Sequence, residues 1–230
     1  MVSGRASIRW ITLGLLSLAT AGGCSTPSRA RFWEWFHEKD KVGPQVTAPY
    51  RRVEKLREMA KNAPTMPEAE QQRLTNILLE DIQKEEDPAM RAEILKTIAA
   101  LPNPTAMAVL KASLKDPNPL VRVAACEAWR KRGGGEAAPT LIAMMGPQEE
   151  LDVRMAAARE LGELGDPSAL QPLGTLLDDP NPAVQHRGVV SLRQVTGKDF
   201  GDDVTKWKSF VQGGNPEPPS VVSRVINSFY

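Results

Sequence analysis

Three stretches decide the fold: NPLVRVAACEAW at Asn118–Trp129, LDVRMAAAREL at Leu151–Leu161 and NPAVQHRGVVSL at Asn181–Leu192. Aligned on Val121, Val153 and Val184, they recur after 32 and 31 residues, and a fainter copy, PAMRAEILKTI, lies a further 31 residues upstream on Met90. A fixed period of this length holds two short helices. It predicts an α-solenoid whose units bury their apolar faces only by stacking.

Working outward, Asp87-Pro88, Asn103-Pro104, Asn118-Pro119, Asp166-Pro167 and Asn181-Pro182 each set a side-chain acceptor at the N-cap and a proline at the first helical position. Between these starts the apolar spacing is helical: Val121, Ala124, Ala125, Ala128 and Trp129, then Val153, Ala156, Ala157 and Leu161. The second helix of each unit is expected to bury Met107, Leu110 and Leu114, then Leu141 and Met145, then Leu170, Leu173 and Leu177. Small residues at the equivalent positions Ala125, Ala157 and Gly188 predict close approach between adjacent units. Pro172 falls inside a second helix and should loosen its first turn. Upstream, Tyr50 to Asn62 reads as a charged helix, and Thr65-Met-Pro-Glu68 as a capping box opening a helix to about Glu85. Downstream, Gly197 is placed to end the last long helix, and Phe200 with Trp207 to cover the end of the array.

The Asp/Asn-Pro, Val-Arg and paired-alanine pattern resembles HEAT repeats, in particular the short bacterial units of the phycobilin-lyase type, over about residues 65 to 200. The resemblance implies an all-α superhelix of four to five helical pairs with a C-terminal capping helix. It also implies that the arginine after the valine, here Arg91, Arg122 and Arg154, braces neighbouring repeats through the loops between them. Gln185 replaces that arginine in the last copy, as a terminal unit would allow.

The N-terminus reads as an export signal over residues 1–23: Arg5 and Arg9 precede an apolar run, Ile11 to Ala21, too short to span a bilayer. Its end, Ala21-Gly22-Gly23-Cys24, resembles a bacterial lipoprotein signal, which implies a lipid on Cys24, an envelope location at a membrane and, with Ser25 following, release to the outer membrane. Ala21 stands where that pattern prefers Leu, Val or Ile, and leaves cleavage after Ala19-Thr20-Ala21 open as the alternative. Residues 24–49 form a tether whose aromatic stretch, Phe32 to Phe36, either lies among lipid headgroups or folds back over the first repeat. Residues 50–212 hold the repeats, and the Gly- and Pro-rich run opening 213–230 is expected to stay uncompacted.

Losing residues 1–23 takes the formal charge from +1 to −1, because they contain Arg5 and Arg9 and no acid. No basic stripe of the kind that faces phosphates survives, which argues against nucleic acid as partner. Arg130-Lys131-Arg132 closes a helix before Gly133, where cations meet the negative end of the helix dipole. Cys24 and Cys126 are the only cysteines, so no disulfide framework is expected. His37 and His186 stand in no metal-binding or catalytic spacing, so neither metal nor cofactor is expected, and Cys126 reads as a small buried hydrophobe. Asp116, Asp178 and Asp179 fall at repeat turns, where capping explains them.

Two function classes follow. One is a membrane-anchored scaffold holding another protein on the second helices, with Lys111, Lys115 and Thr175 facing the partner. The other is a lyase-like accessory enzyme subunit, or a chaperone for a pigment or cofactor.

Overall fold

The computed structural model describes residues 48–218. The stretch read as an export signal, Cys24, the expected aromatic tether with His37, and the chain after Pro218 lie outside them. Among the described residues every regular element is helical, in five pairs: α1 (Ala48–Asn62) and α2 (Glu68–Lys84), α3 (Pro88–Ala99) and α4 (Pro104–Ser113), α5 (Pro119–Arg132) and α6 (Ala137–Ala143), α7 (Leu151–Leu164) and α8 (Leu170–Thr175), α9 (Pro182–Thr196) and α10 (Val204–Val211). The first helices form one layer, α1 on α3 on α5 on α7 on α9. The second helices lie beside it; α4 and α6 pack mainly on the first helices before and after them.

All five Asp/Asn-Pro steps open helical turns as the chemistry predicts. The side-chain oxygens of Asp87, Asn103, Asn118, Asp166 and Asn181 accept from the backbone N–H of Ala89, Ala106, Leu120, Ser168 and Ala183 at 2.8 to 3.0 Å. Val121, Ala125, Val153, Ala157, Leu161, Val184 and Leu192 are buried, as is Trp129 at 1% exposure. Pro172 is accommodated by splitting its helix: a 3₁₀ turn at Pro167–Ala169 precedes α8, so the proline sits in the first turn, where an N–H has no intrahelical partner anyway. Gly197 ends α9 in the left-handed conformation, φ 65°, with its N–H on the Arg193 carbonyl at 2.9 Å. Phe200 and Trp207 are buried edge to face, 4.9 Å apart, and the indole N–H donates to the Gly201 carbonyl at 2.8 Å. The closing helix α10 also lies against α8, so the cap is itself the second helix of the last pair.

Three local expectations change. Thr65 is not an N-cap: it ends a 3₁₀ turn, Ala63–Thr65, and its hydroxyl donates to the Asn62 carbonyl, while Gln71 Nε2 bonds the carbonyls of Ala63 and Met66 and closes the turn onto α2. Proline at position 67 already fixes the entry, so the helix starts at Glu68 without a side-chain cap. In α4 the buried face is Ala106, Val109, Leu110 and Ser113, so Leu110 is buried as expected while Met107 and Leu114 stand half-buried beside that face. Residues 213–218 fold back on α10: the Gly214 N–H bonds the Ser209 carbonyl at 2.8 Å, and Lys206 Nζ the Glu217 carbonyl at 3.0 Å.

Candidate functional site

Several ionised side chains of the array bridge successive repeats, and the turns before the first helices show how. Arg91, one turn into α3, reaches forward to the next turn, where Nε and Nη2 pair with the two carboxylate oxygens of Asp116 at 3.2 and 3.1 Å. Its Nη1 also ties down the carbonyls of Glu85 and Glu86 behind it. Asp116 takes the Asn118 N–H on Oδ1 at 2.8 Å and offers its own carbonyl to Arg122 Nη1 at 2.6 Å. One aspartate thereby joins two arginines from successive repeats. A two-pronged Arg–carboxylate contact fixes direction as well as distance.

The same device recurs at Asp179, whose carboxylate accepts from Arg154 Nη2 at 2.7 Å and from the Asn181 N–H at 2.9 Å. Its carbonyl accepts from Gln185 at 2.8 Å. The amide in the last copy therefore keeps the backward bond of the arginine it replaces. Those two hydrogen bonds to the Asp179 carboxylate hold it below the ordinary range, the Asn181 N–H contributing most. Capping is thus only part of what Asp116 and Asp179 do, and Asp178 pairs instead with Lys208 at 2.7 Å.

The middle turn is built differently. Arg122 pairs with Glu149 at 2.9 Å and with Glu150, and Arg154 bonds the Met145 carbonyl at 3.3 Å. Glu150 is the residue before α7, yet its side chain caps no backbone N–H. Its carboxyl is lowered chiefly by Arg122.

A second set of bridges crosses the first-helix layer at one register position, read as Thr97, Ala128, Glu160 and Ser191 in successive repeats. Thr97 Oγ1 donates to the Leu56 carbonyl of α1 at 3.1 Å, and Ser191 Oγ to the Ala158 carbonyl of α7 at 2.8 Å. Glu160, 2% exposed, lies between Arg130 of α5 and Arg159. Beside Ser191 the backbones close in: a Cβ added to Gly162 would fall 2.8 Å from the Ser191 Cα. The stripe Val153, Ala156, Ala157, Leu161 omits Glu160, although it aligns with buried Ala128. A carboxylate in register with alanine was the available signal.

Arg130, Lys131 and Arg132 divide their work. Arg130 leaves for Glu160 and Glu163, Lys131 pairs with Glu127 at 2.6 Å, and Arg132 Nη1 bonds the carbonyls of Ala99 and Leu101 at 3.4 and 3.1 Å. Cys126 is fully buried, and burial, aided by Glu160 and Glu149, pushes its thiol up to about 12, far from a thiolate at neutral pH. His186 is exposed on α9. Among the described residues, no three His, Cys, Asp or Glu side chains gather as a metal would require.

The residues expected to face a partner, Lys111, Lys115 and Thr175, are all exposed. Lys111 lies in the last turn of α4, 52% exposed and paired with Glu136 at 2.8 Å. Lys115 is exposed but lies in the turn beyond Ser113, where α4 has already ended. Thr175 ends α8, exposed, with its hydroxyl on the Pro172 carbonyl at 2.7 Å.

A comparison with curated proteins found no relative of this chain. Against protein families, the model described as HEAT repeats matches residues 75–151 and 147–206, which runs from within α2 into α10 and covers more than half the chain. With the paired helices, the Asp/Asn-Pro starts and the arginine braces, this match places the chain in the HEAT-repeat family.

Proposed function

We propose that this protein is a lipid-anchored interaction scaffold of the bacterial envelope, held to a membrane through Cys24 and binding another protein on its second-helix side. The HEAT array is the observation that carries the reading: stacked helical pairs present an extended surface, and surfaces of this kind serve binding. Bridging charges agree with it, since they stiffen the array from repeat to repeat rather than converge on one cavity. On the second-helix side, Lys111 and Glu136 form an exposed pair. Such a pair contributes little to stability and exchanges readily for a partner's charges.

Mass spectrometry of membrane-extracted protein tests the anchor. The N-terminal peptide is expected to begin at Cys24 with an acyl mass shift, and a free N-terminus at Gly22 overturns it. Affinity capture from detergent-solubilised membranes tests the scaffold, comparing the natural chain with the Lys111→Glu/Lys115→Glu variant. One specific protein should be lost with the charge reversal. Its recovery by both forms at equal affinity removes this surface, and recovery of no protein under crosslinking removes the scaffold reading.

A further inference from the structure

A groove of about 540 Å³ opens on the first-helix layer, where α3 and α5 end beside the turn that follows α1. Its lining is apolar at Pro64, Ala99 and Ala128 and charged at Lys96, Lys131 and Arg132, with Glu127 the one carboxylate among the lining residues. The three cations gather there because each stands near a helix C-terminus, whose unpaired carbonyls favour positive charge. Burial pushes the Glu127 carboxyl up, but Lys131, Lys96 and Arg159 outweigh it and hold it below the ordinary range, so it stays ionised; with Glu93 on Lys96, two carboxylates face three cations.

The geometry points to this groove as the docking site for an acidic segment of a partner protein, with apolar side chains on the apolar lining and carboxylates on the cations. Each cation is already positioned: Lys96 by Glu93 at 3.0 Å and Glu127 at 4.0 Å, Lys131 by Glu127 at 2.6 Å, Arg132 by the carbonyls of Ala99 and Leu101 at 3.4 and 3.1 Å. An ammonium has three donors and a guanidinium five, so every one keeps donors for an incoming carboxylate. Lys131 is 59% exposed and Lys96 36%, so neither must leave the protein interior to use them. The volume lies within the roughly 300–1,000 Å³ of ligand-holding clefts. This inference rests on the scaffold reading but is independent of the lipid anchor and of Lys111.

The probe is a fluorescein-labelled dodecapeptide, Glu-Ala-Glu-Val repeated three times, with its Lys-Ala-Lys-Val counterpart as control, measured by anisotropy on the full chain in detergent. The acidic peptide should bind and the basic one should not, with affinity falling at least tenfold between low and high salt. The Lys96→Glu/Lys131→Glu variant should lose the acidic peptide by tenfold or more, and Lys198→Glu, at an exposed site after α9, should leave it unchanged. Because charge reversal disturbs the contacts to Glu93 and Glu127, Ala100→Trp serves as a second variant that fills the groove without altering charge, and it should weaken binding likewise. Equal binding of both peptides, no binding, retention of affinity by either groove variant, or full competition by millimolar inorganic phosphate overturns the site. If the acidic peptide fails while membranes still yield a Lys111-dependent partner, the groove is wrong and the scaffold reading stands.

Discussion

The turns around Asp116 and Asp179 differ from the one at Gly146–Glu150 although all three precede a first helix of the same register. In the first two, one aspartate caps its own turn, accepts an arginine from behind and offers its carbonyl ahead. In the third, two glutamates share Arg122, the helix start has no side-chain cap, and Arg154 must use the Met145 carbonyl. Yet α5 and α7 pack as closely as the other neighbours. The difference teaches that turn chemistry and helix-face chemistry are separate fastenings. Where the turn is poor, Arg130–Glu160 holds the helices themselves.

The largest effect expected is on the helix faces. Trp129→Ala should destabilise the array by about 3–5 kcal/mol, the usual range for deleting a buried large aromatic. Chemical denaturation of the purified chain measures it, and a loss below about 1 kcal/mol would mean that α5 does not hold the centre. Next comes Arg130→Ala. It leaves the buried Glu160 with only Arg159, and removal of one partner from a buried pair costs about 3 kcal/mol at the low end of the measured range. Adding Glu160→Leu should restore most of that stability. A double variant as unstable as Arg130→Ala alone would place the energy in packing rather than in the charge.

Acid separates the turns themselves. The carboxyls of Asp179, Glu150 and Asp166 lie below their ordinary values in the folded chain. A carboxyl depressed by folding adds stability that is present above its unfolded pKa, about 4, and disappears as the pH falls through the folded one. Thermal midpoints should therefore drop as the pH is lowered from about 5. Asp179→Asn should make that drop shallower, and an unchanged slope would deny Asp179 its part in it. The smallest effect is a repair: Glu150→Ser supplies the cap that α7 lacks, at a backbone geometry (φ −62°, ψ 154°) suited to it. Because Arg122 keeps Glu149 and the Asp116 carbonyl, the midpoint should rise by about 2 °C. A fall instead would show that Glu150 matters more as Arg122's partner than the missing cap does.

Much of this fold was legible because its signals are local. An Asp or Asn before a proline writes a helix start within three residues, and a period of 31 or 32 makes each copy a check on the others. The expected stripe on α5 is the buried one for the same reason. What was not legible depends on partners from other repeats. The destination of Arg130 is fixed by Glu160, thirty residues on, and three adjacent cations that look alike in sequence go to three different places. Thr65 misled because a capping box and a 3₁₀ turn closed by Gln71 begin with the same letters. Lys111, Lys115 and Thr175 are exposed as expected, but Lys115 lies just beyond the end of α4 and Thr175 at the last residue of α8, an element-end detail that apolar spacing does not fix.

The register position that reads Thr97, Ala128, Glu160 and Ser191 also bears on the ancestry of the array. Copies produced by duplication begin interchangeable, but here each interface has acquired its own lock: a hydroxyl, a methyl, an ion pair and a second hydroxyl set against glycine. Exchanging the fourth and fifth pairs would part Glu160 from Arg130 and set Ser191 against an arginine instead of its Gly162 recess, because 130 and 162 share one register position. The order of the repeats is therefore written into their interfaces, so a shuffled chain would keep every helix signal and lose these matched contacts.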